Sequence, residues 1–163
     1  MKQLWAPWRM IYISEGAKET DCIFCSKSKQ SDLREALVVA QTAHTLVMLN
    51  KYPYNNGHLL LAPKRHERNL SSLSAEEYSD LNEALRRSVD IVRQALNPGG
   101  INLGMNLGRC AGAGIEDHLH WHVVPRWEGD TNFMPVVAET RVMPQHLFDS
   151  YDRLKPHFES LSA

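Results

Sequence analysis

In the segment His118-Leu119-His120-Trp121-His122-Val123-Val124, imidazoles and apolar side chains change places at every residue. That period of two belongs to a β-strand, whose successive side chains point to opposite faces. The chain is therefore expected to build a sheet here, with Leu119, Trp121 and Val123 turned into a core. His118, His120 and His122 would share the other face. Eight histidines in 163 residues produce this spacing by chance about 0.02 times, a crude count from composition. Chance is a poor account of it.

The rest of the chain supplies the partners such a strand needs. Ala36–Ala40, Thr45–Asn50 and His58–Ala62 read as strands, and Lys51-Tyr52-Pro53-Tyr54-Asn55-Asn56-Gly57 as a turn between the last two. Ser74 and Glu77 form a capping box ahead of one long helix. Tyr78, Leu81, Leu85, Val89, Val92 and Leu96 recur at helical spacing as its apolar face, and Asn97-Pro98-Gly99-Gly100 stops it. Ile101, Leu103, Met105 and Leu107 alternate with Asn102, Gly104 and Asn106 in a fourth strand. A glycine-bearing loop, Gly108 to Gly114, leads to the histidines, and Pro144–Leu154 reads as a second helix. The order predicts an α+β domain over residues 1–163. An antiparallel sheet of about five strands carries the long helix on one face, with a second helix near the C-terminus. Residues 1–35 are a lead-in, with Trp5, Trp8, Tyr12 and a cysteine pair as anchors, and 127–163 are a C-terminal extension.

Composition narrows the partners. The net charge is −1 and the charges are interspersed, so no basic stripe tracks a nucleic acid. Pro7 and Arg9 interrupt any signal-like apolar run, and no stretch reaches the ~20 apolar residues of a membrane span. A soluble, cytoplasmic protein is expected. Three cysteines argue against a disulfide framework, so Cys22-x-x-Cys25 reads as half of a zinc site. Cys110 reads as a loop residue, and His44, His146 and His157 as surface or cap residues. Lys64, Arg65 and Arg68 make a small basic cluster.

A neutral imidazole is a good nucleophile near pH 7. Attack by a histidine on phosphorus divides one displacement into two easier ones. Flanking imidazoles would hold the attacking ring, and backbone amides of the glycine loop would receive phosphoryl oxygens. A surface stripe or a purely metal-binding ladder is the alternative. A catalytic metal centre built on His-x-His is weaker, because Glu128 lies eight positions beyond His120 and past Pro125.

The run His118 to Val124 resembles the motif of the histidine triad (HIT) family. Asn56-Gly57-His58 with Pro63-Lys64, Asn106-x-Gly108, Ala111-Gly112 and Pro125-Arg126 stand where that family has them. Leu4-Trp5-Ala6-Pro7-Trp8-Arg9-Met10 and Pro125 to Phe133 look like its bacterial diadenosine tetraphosphate phosphorylase branch. The resemblance implies that His120 attacks the α-phosphate of a dinucleoside polyphosphate and forms a nucleotidyl-histidine, which phosphate or water then releases. It implies that His118, His122 and Asn106 complete the catalytic set. Asn50 would hold ribose hydroxyls, Leu49 and apolar neighbours the base, and His58 would stand beside the triad. Gly112 and Gly114 would lie at the phosphate. Zinc-containing members use a Cys-x-x-Cys, a histidine and the first triad histidine, which here are Cys22, Cys25, His66 and His118. A homodimer, or a tetramer through the tails, is implied as well. Gly114 departs from the pattern, because the family often has Gln or Ser there. Hydrolysis of nucleoside phosphoramidates or acyl-adenylates, and a zinc- and nucleotide-binding adaptor with a vestigial site, are the other readings.

Overall fold

In the computed structural model, five strands form one antiparallel sheet in the order β1-β2-β3-β5-β4. They are β1 (Val38–Gln41), β2 (Thr45–Leu49), β3 (Leu59–Pro63), β4 (Gly100–Met105) and β5 (Trp121–Arg126). The structure describes residues 22–130 and 145–161. The anchors Trp5, Trp8 and Tyr12, the flank Leu4 to Met10, and Phe133 lie outside them. Three α-helices are described: α1 (Ile23–Lys27), α2 (Ala75–Leu96) and α3 (Leu147–Leu154). None of the described helices is long and apolar enough to cross a membrane.

The elements sit close to their expected places, with local corrections. β1 starts at Val38 rather than Ala36, because Leu37 has a left-handed backbone, φ +61°, which no strand accommodates. Of the second helix, expected over Pro144–Leu154, the described residues form Leu147–Leu154, and Pro144 lies outside them. His146 is its N-cap, accepting from the Phe148 backbone N–H. The capping box of α2 forms as expected, and Asn97 ends the helix in the left-handed region. Its buried stripe differs from the expected one. Leu81, Ala84, Ser88, Ile91, Val92, Ala95 and Leu96 are buried, whereas Tyr78 is 50% exposed. At 3.6 residues per turn the stripe is rotated by roughly 60° toward the small residues. Ala84, Ser88 and Ala95 do not stand out in a hydrophobic count, yet they let a helix lie close on a sheet.

The sheet separates two apolar layers. Val47, Leu49, Leu59, Leu61, Leu119 and Val123 pack with α2, α3 and the 3-10 turn Lys155–Leu161. On the other face Leu46, Met48, Leu60 and Ala62 pack with Phe24 of α1. This alternation is the period of two expected of half-buried strands. The β1 edge is covered: Tyr151 Oη donates to Val38 O at 3.1 Å and Lys155 Nζ to Val39 O at 2.8 Å. β4 is the opposite edge and pairs only with β5 among the described residues. Leu103, in the middle of β4, is 49% exposed.

Candidate metal centre and active site

Cys22, Cys25, His66 and His118 come together, with one ligand atom from each lying within 4.8 Å of all the others. The cysteines are held by the short helix α1. His66 follows β3, and His118 stands just before β5. His118 Nδ1 is 3.2 Å from Cys22 Sγ and 3.7 Å from Cys25 Sγ, and His66 Nδ1 is 3.3 Å from Cys25 Sγ. Tetrahedral zinc with Zn–S and Zn–N bonds of ~2.3 and ~2.0 Å needs ligand–ligand edges of about 3.5 Å. The donor set fits. Its second shell fits too: His118 Nε2 is 2.7 Å from Pro63 O. The ring therefore donates from Nε2 and turns the Nδ1 lone pair toward the thiols, as a metal-bound imidazole does.

β5 begins at Trp121, so His118 and His120 precede the strand proper, while His122 lies within it. Leu119 N–H donates to Glu67 O at 2.8 Å and continues the chain's anchorage upstream. The facing expected from the alternation is observed. Leu119 and Val123 enter the helix-side core, with Trp121 against it, and the three imidazoles lie on the other side.

Hydrogen bonds assign the proton of each ring. His120 Nδ1 is 2.9 Å from His118 O, a carbonyl that can only accept. Nδ1 therefore carries the hydrogen and Nε2 presents a lone pair. His58, fully buried, accepts at Nδ1 from Tyr54 N–H at 3.0 Å, with Asn50 Nδ2 a further 3.3 Å away. Its hydrogen is on Nε2, which lies 2.9 Å from His122 Nδ1. His122 then accepts at Nδ1 and carries its hydrogen on Nε2. Burial pushes His118 and His122 down to about 4, and it also lowers His120. All three rings are therefore neutral at pH 7. The face thus offers one nucleophilic nitrogen beside one N–H donor, on rings whose centroids are 4.9 Å apart. Gly104, the cross-strand partner of His122 on β4, adds no side chain to that face.

The remaining expected residues divide. Asn50 follows β2 and touches His58, and its Oδ1 accepts from Tyr52 N–H at 2.9 Å. Asn106 Nδ2 donates to Gly112 O at 3.4 Å, bracing the loop before the triad. Gly108 in that loop has φ +84° and ψ 160°, a backbone region open essentially to glycine alone. Gly114 is exposed and offers only main chain. Leu49 is fully buried in the helix-side layer and shows no surface to a ligand. Ile23, Leu33 and Ile115 are partly buried against the second layer, on the side of the sheet that carries the histidines. Cys110 is exposed and outside the metal group.

Two residues escaped the sequence reading. Phe24 packs against both His118 and His120, at ring centroid distances of 4.9 and 5.0 Å. Its place inside Cys22-x-x-Cys25 was the available signal. Tyr54 stacks on His58 at 4.9 Å and supplies the N–H that sets its tautomer. In sequence it is only a turn residue.

Residues 33–129 match the HIT domain family. The chain belongs to the HIT family. It is 37% identical over 158 residues to the AP-4-A phosphorylase of Mycobacterium tuberculosis, covering 92% of this chain and 80% of that protein. It is 33% identical over 105 residues to the adenosine 5'-monophosphoramidase of Schizosaccharomyces pombe, covering 64% and 74%. A hypothetical histidine triad nucleotide-binding protein of Sulfolobus tokodaii, known from its crystal structure, superposes with a TM-score of 0.67 at 27% identity. That match covers 86% of this chain and 93% of the other. With such relatives the chain is an HIT enzyme, and its antiparallel sheet with helices is the HIT fold.

Proposed function

We propose that this enzyme transfers a nucleotidyl group from a dinucleoside polyphosphate, of the diadenosine tetraphosphate kind, to phosphate or water through His120. The observation that carries the proposal is the pair of opposite tautomers, a lone pair on His120 Nε2 beside an N–H on His122. The AMP-containing substrates of the two named relatives support the substrate class.

The His120 Nε2 lone pair attacks the α-phosphorus. An N–P bond forms, the P–O bond to the bridging oxygen breaks, and the leaving nucleotide departs with the electron pair. The ring, still protonated at Nδ1, becomes cationic, and the His118 carbonyl stabilises that charge. His122 Nε2–H and the backbone N–H of Gly114 donate to the phosphoryl oxygens, the N–H groups of Gly112 and Ala113 being taken by Arg109 O and Gly108 O. His58, donating to His122 Nδ1, keeps that proton facing the substrate. An oxygen of phosphate or water then attacks phosphorus from the opposite side. The N–P bond breaks, its electron pair returns to His120 Nε2, and an attacking water gives up its proton to solvent. Asn50 is placed for ribose hydroxyls. Zinc, held by Cys22, Cys25, His66 and His118, would act structurally, because four protein donors leave no position for water. With β4 an edge that pairs only with β5 among the described residues, we also propose a homodimer joined along that strand.

Product analysis with diadenosine tetraphosphate, on wild type and His120→Asn, tests the reading. ATP plus ADP, dependent on added phosphate, identifies phosphorolysis, and ATP plus AMP identifies hydrolysis. No turnover by wild type, or full turnover by the variant, contradicts the proposal.

A further inference from the structure

The turn between β2 and β3 closes around one buried side chain. Asn50 N–H donates to His58 O at 2.9 Å, His58 N–H to Asn55 O at 3.2 Å, and Tyr54 N–H to His58 Nδ1 at 3.0 Å. The Tyr54 ring stacks on His58, and its centroid is 6.0 Å from that of His122. The turn is thus built on the imidazole that donates to His122. It contains Pro53 and no regular element, so ladder hydrogen bonds do not fix where it sits.

The end of β5 and the segment after it supply the anchor. Asn55 Nδ2 donates to Pro125 O at 3.1 Å and to Asp130 Oδ2 at 2.7 Å. Arg126 grips the same carboxylate as a fork, Nε to Oδ2 at 2.7 Å and Nη2 to Oδ1 at 2.9 Å. Trp127 N–H donates to Asp130 Oδ2 at 3.2 Å, and Arg126 Nη1 reaches Asn102 Oδ1 of β4 at 3.1 Å. An exposed ion pair would hold little. Here the Asp130 side chain is only 10% exposed, and the fork fixes its direction. One carboxylate thus joins the turn, β5 and β4. The histidine segment is held at both ends, by the metal group at His118 and by this carboxylate beyond His122.

We propose that Asp130 is a positioning residue for the reaction: through Asn55 it holds the turn that aims His58, and so keeps the His122 proton on Nε2. The proposal rests on the reading in which that proton meets the phosphoryl group. The bond to be kept is the 2.9 Å contact of His58 Nε2 with His122 Nδ1, and such a bond weakens steeply once misaligned. A carboxylate suits the place because, when ionised, it only accepts. Asn55, Arg126 and Trp127 all present N–H groups to it, so an amide there would set its own N–H against one of them. The flank Pro125 to Phe133, singled out in the sequence by resemblance alone, gains a task over Pro125–Asp130.

Asp130→Asn and Asn55→Ala cut the link from its two sides. Each is expected to lower kcat for diadenosine tetraphosphate about tenfold, with KM changed less than about twofold, as for a misplaced group rather than lost binding. Nitrogen NMR of the resting protein should show His122 passing from one tautomer to a mixture. In a His58→Ala background, Asp130→Asn should cost less than about twofold, because the path is already cut. Arg34→Gln, which breaks an equally forked pair with Asp152 of α3, should leave kcat and the His122 signal as in wild type. A His122 that keeps one tautomer in both link variants, whatever their Tm, makes the carboxylate a brace alone and overturns the proposal. So does an undiminished loss in the His58→Ala background, or the same loss in Arg34→Gln. Failure of wild type to turn over diadenosine tetraphosphate overturns the underlying reading instead, and the NMR comparison still decides what Asp130 does.

Discussion

His58 decides which nitrogen of His122 bears a proton, although it lies sixty-four positions earlier in the chain. Removing it should cost turnover more than binding. For His58→Ala we expect kcat to fall by about 10²-fold with little change in KM; nitrogen NMR should show His122 losing its single tautomer. Unchanged kinetics and tautomer would contradict the relay. His120→Asn, by contrast, should abolish turnover, a loss of at least about 10³-fold. At this scale much was legible. Alternation alone placed three imidazoles on one face, and the resemblance separated their roles, with His118 going to the metal group. The tautomers were not legible, because the groups that set them are main-chain atoms of Pro63, His118 and Tyr54, brought in by folding. Leu49 shows the same limit. An apolar strand residue has two faces to choose from, and pairing with β3 sends it to the helix side.

α2 is the element most completely written in the sequence, and its start has a measurable energy. Ser74→Ala should destabilise the protein by about 1 kcal/mol in urea unfolding. Glu77 accepts from Arg65 and from Ser74 N–H, which hold its carboxyl down at about 2, against an ordinary 4.5. A lowered acid stabilises the fold when ionised. That contribution is complete above about pH 4.5 and is lost as the pH falls toward 2. The urea midpoint should therefore decline over that window less steeply in Glu77→Gln than in wild type; parallel slopes would contradict this. Gly57 marks the far end of the same helix. Its φ is +70°, and a Cβ there would collide with Leu96 Cδ1. Gly57→Ala should cost about 2 kcal/mol or more. The helix ends were legible because caps are local chemistry. The rotation of its buried face was not, because Ala84, Ser88 and Ala95 are chosen by the sheet they approach.

At the scale of the whole molecule, three distant segments meet at Cys22, Cys25, His66 and His118, and Phe24 carries that junction onto His120. Elemental analysis should find one zinc per chain. Its removal by chelator should lower Tm by about 5–10 °C, and a metal-free protein of unchanged Tm would contradict the structural role. The antiparallel sheet and its helix were legible as a period of two followed by a period of 3.6. The strand order, with β5 between β3 and β4, was not, because non-local pairing leaves no mark on adjacent residues. The central claim, covalent chemistry at His120, has a direct test. Rapid acid-free quenching of wild type with diadenosine tetraphosphate, in the absence of phosphate, followed by peptide mass analysis, should show one AMP group on the peptide containing His120. The adduct should vanish when phosphate is added and should be absent from His120→Asn. A wild-type enzyme that turns over with no adduct, or an adduct on another residue, would contradict the account.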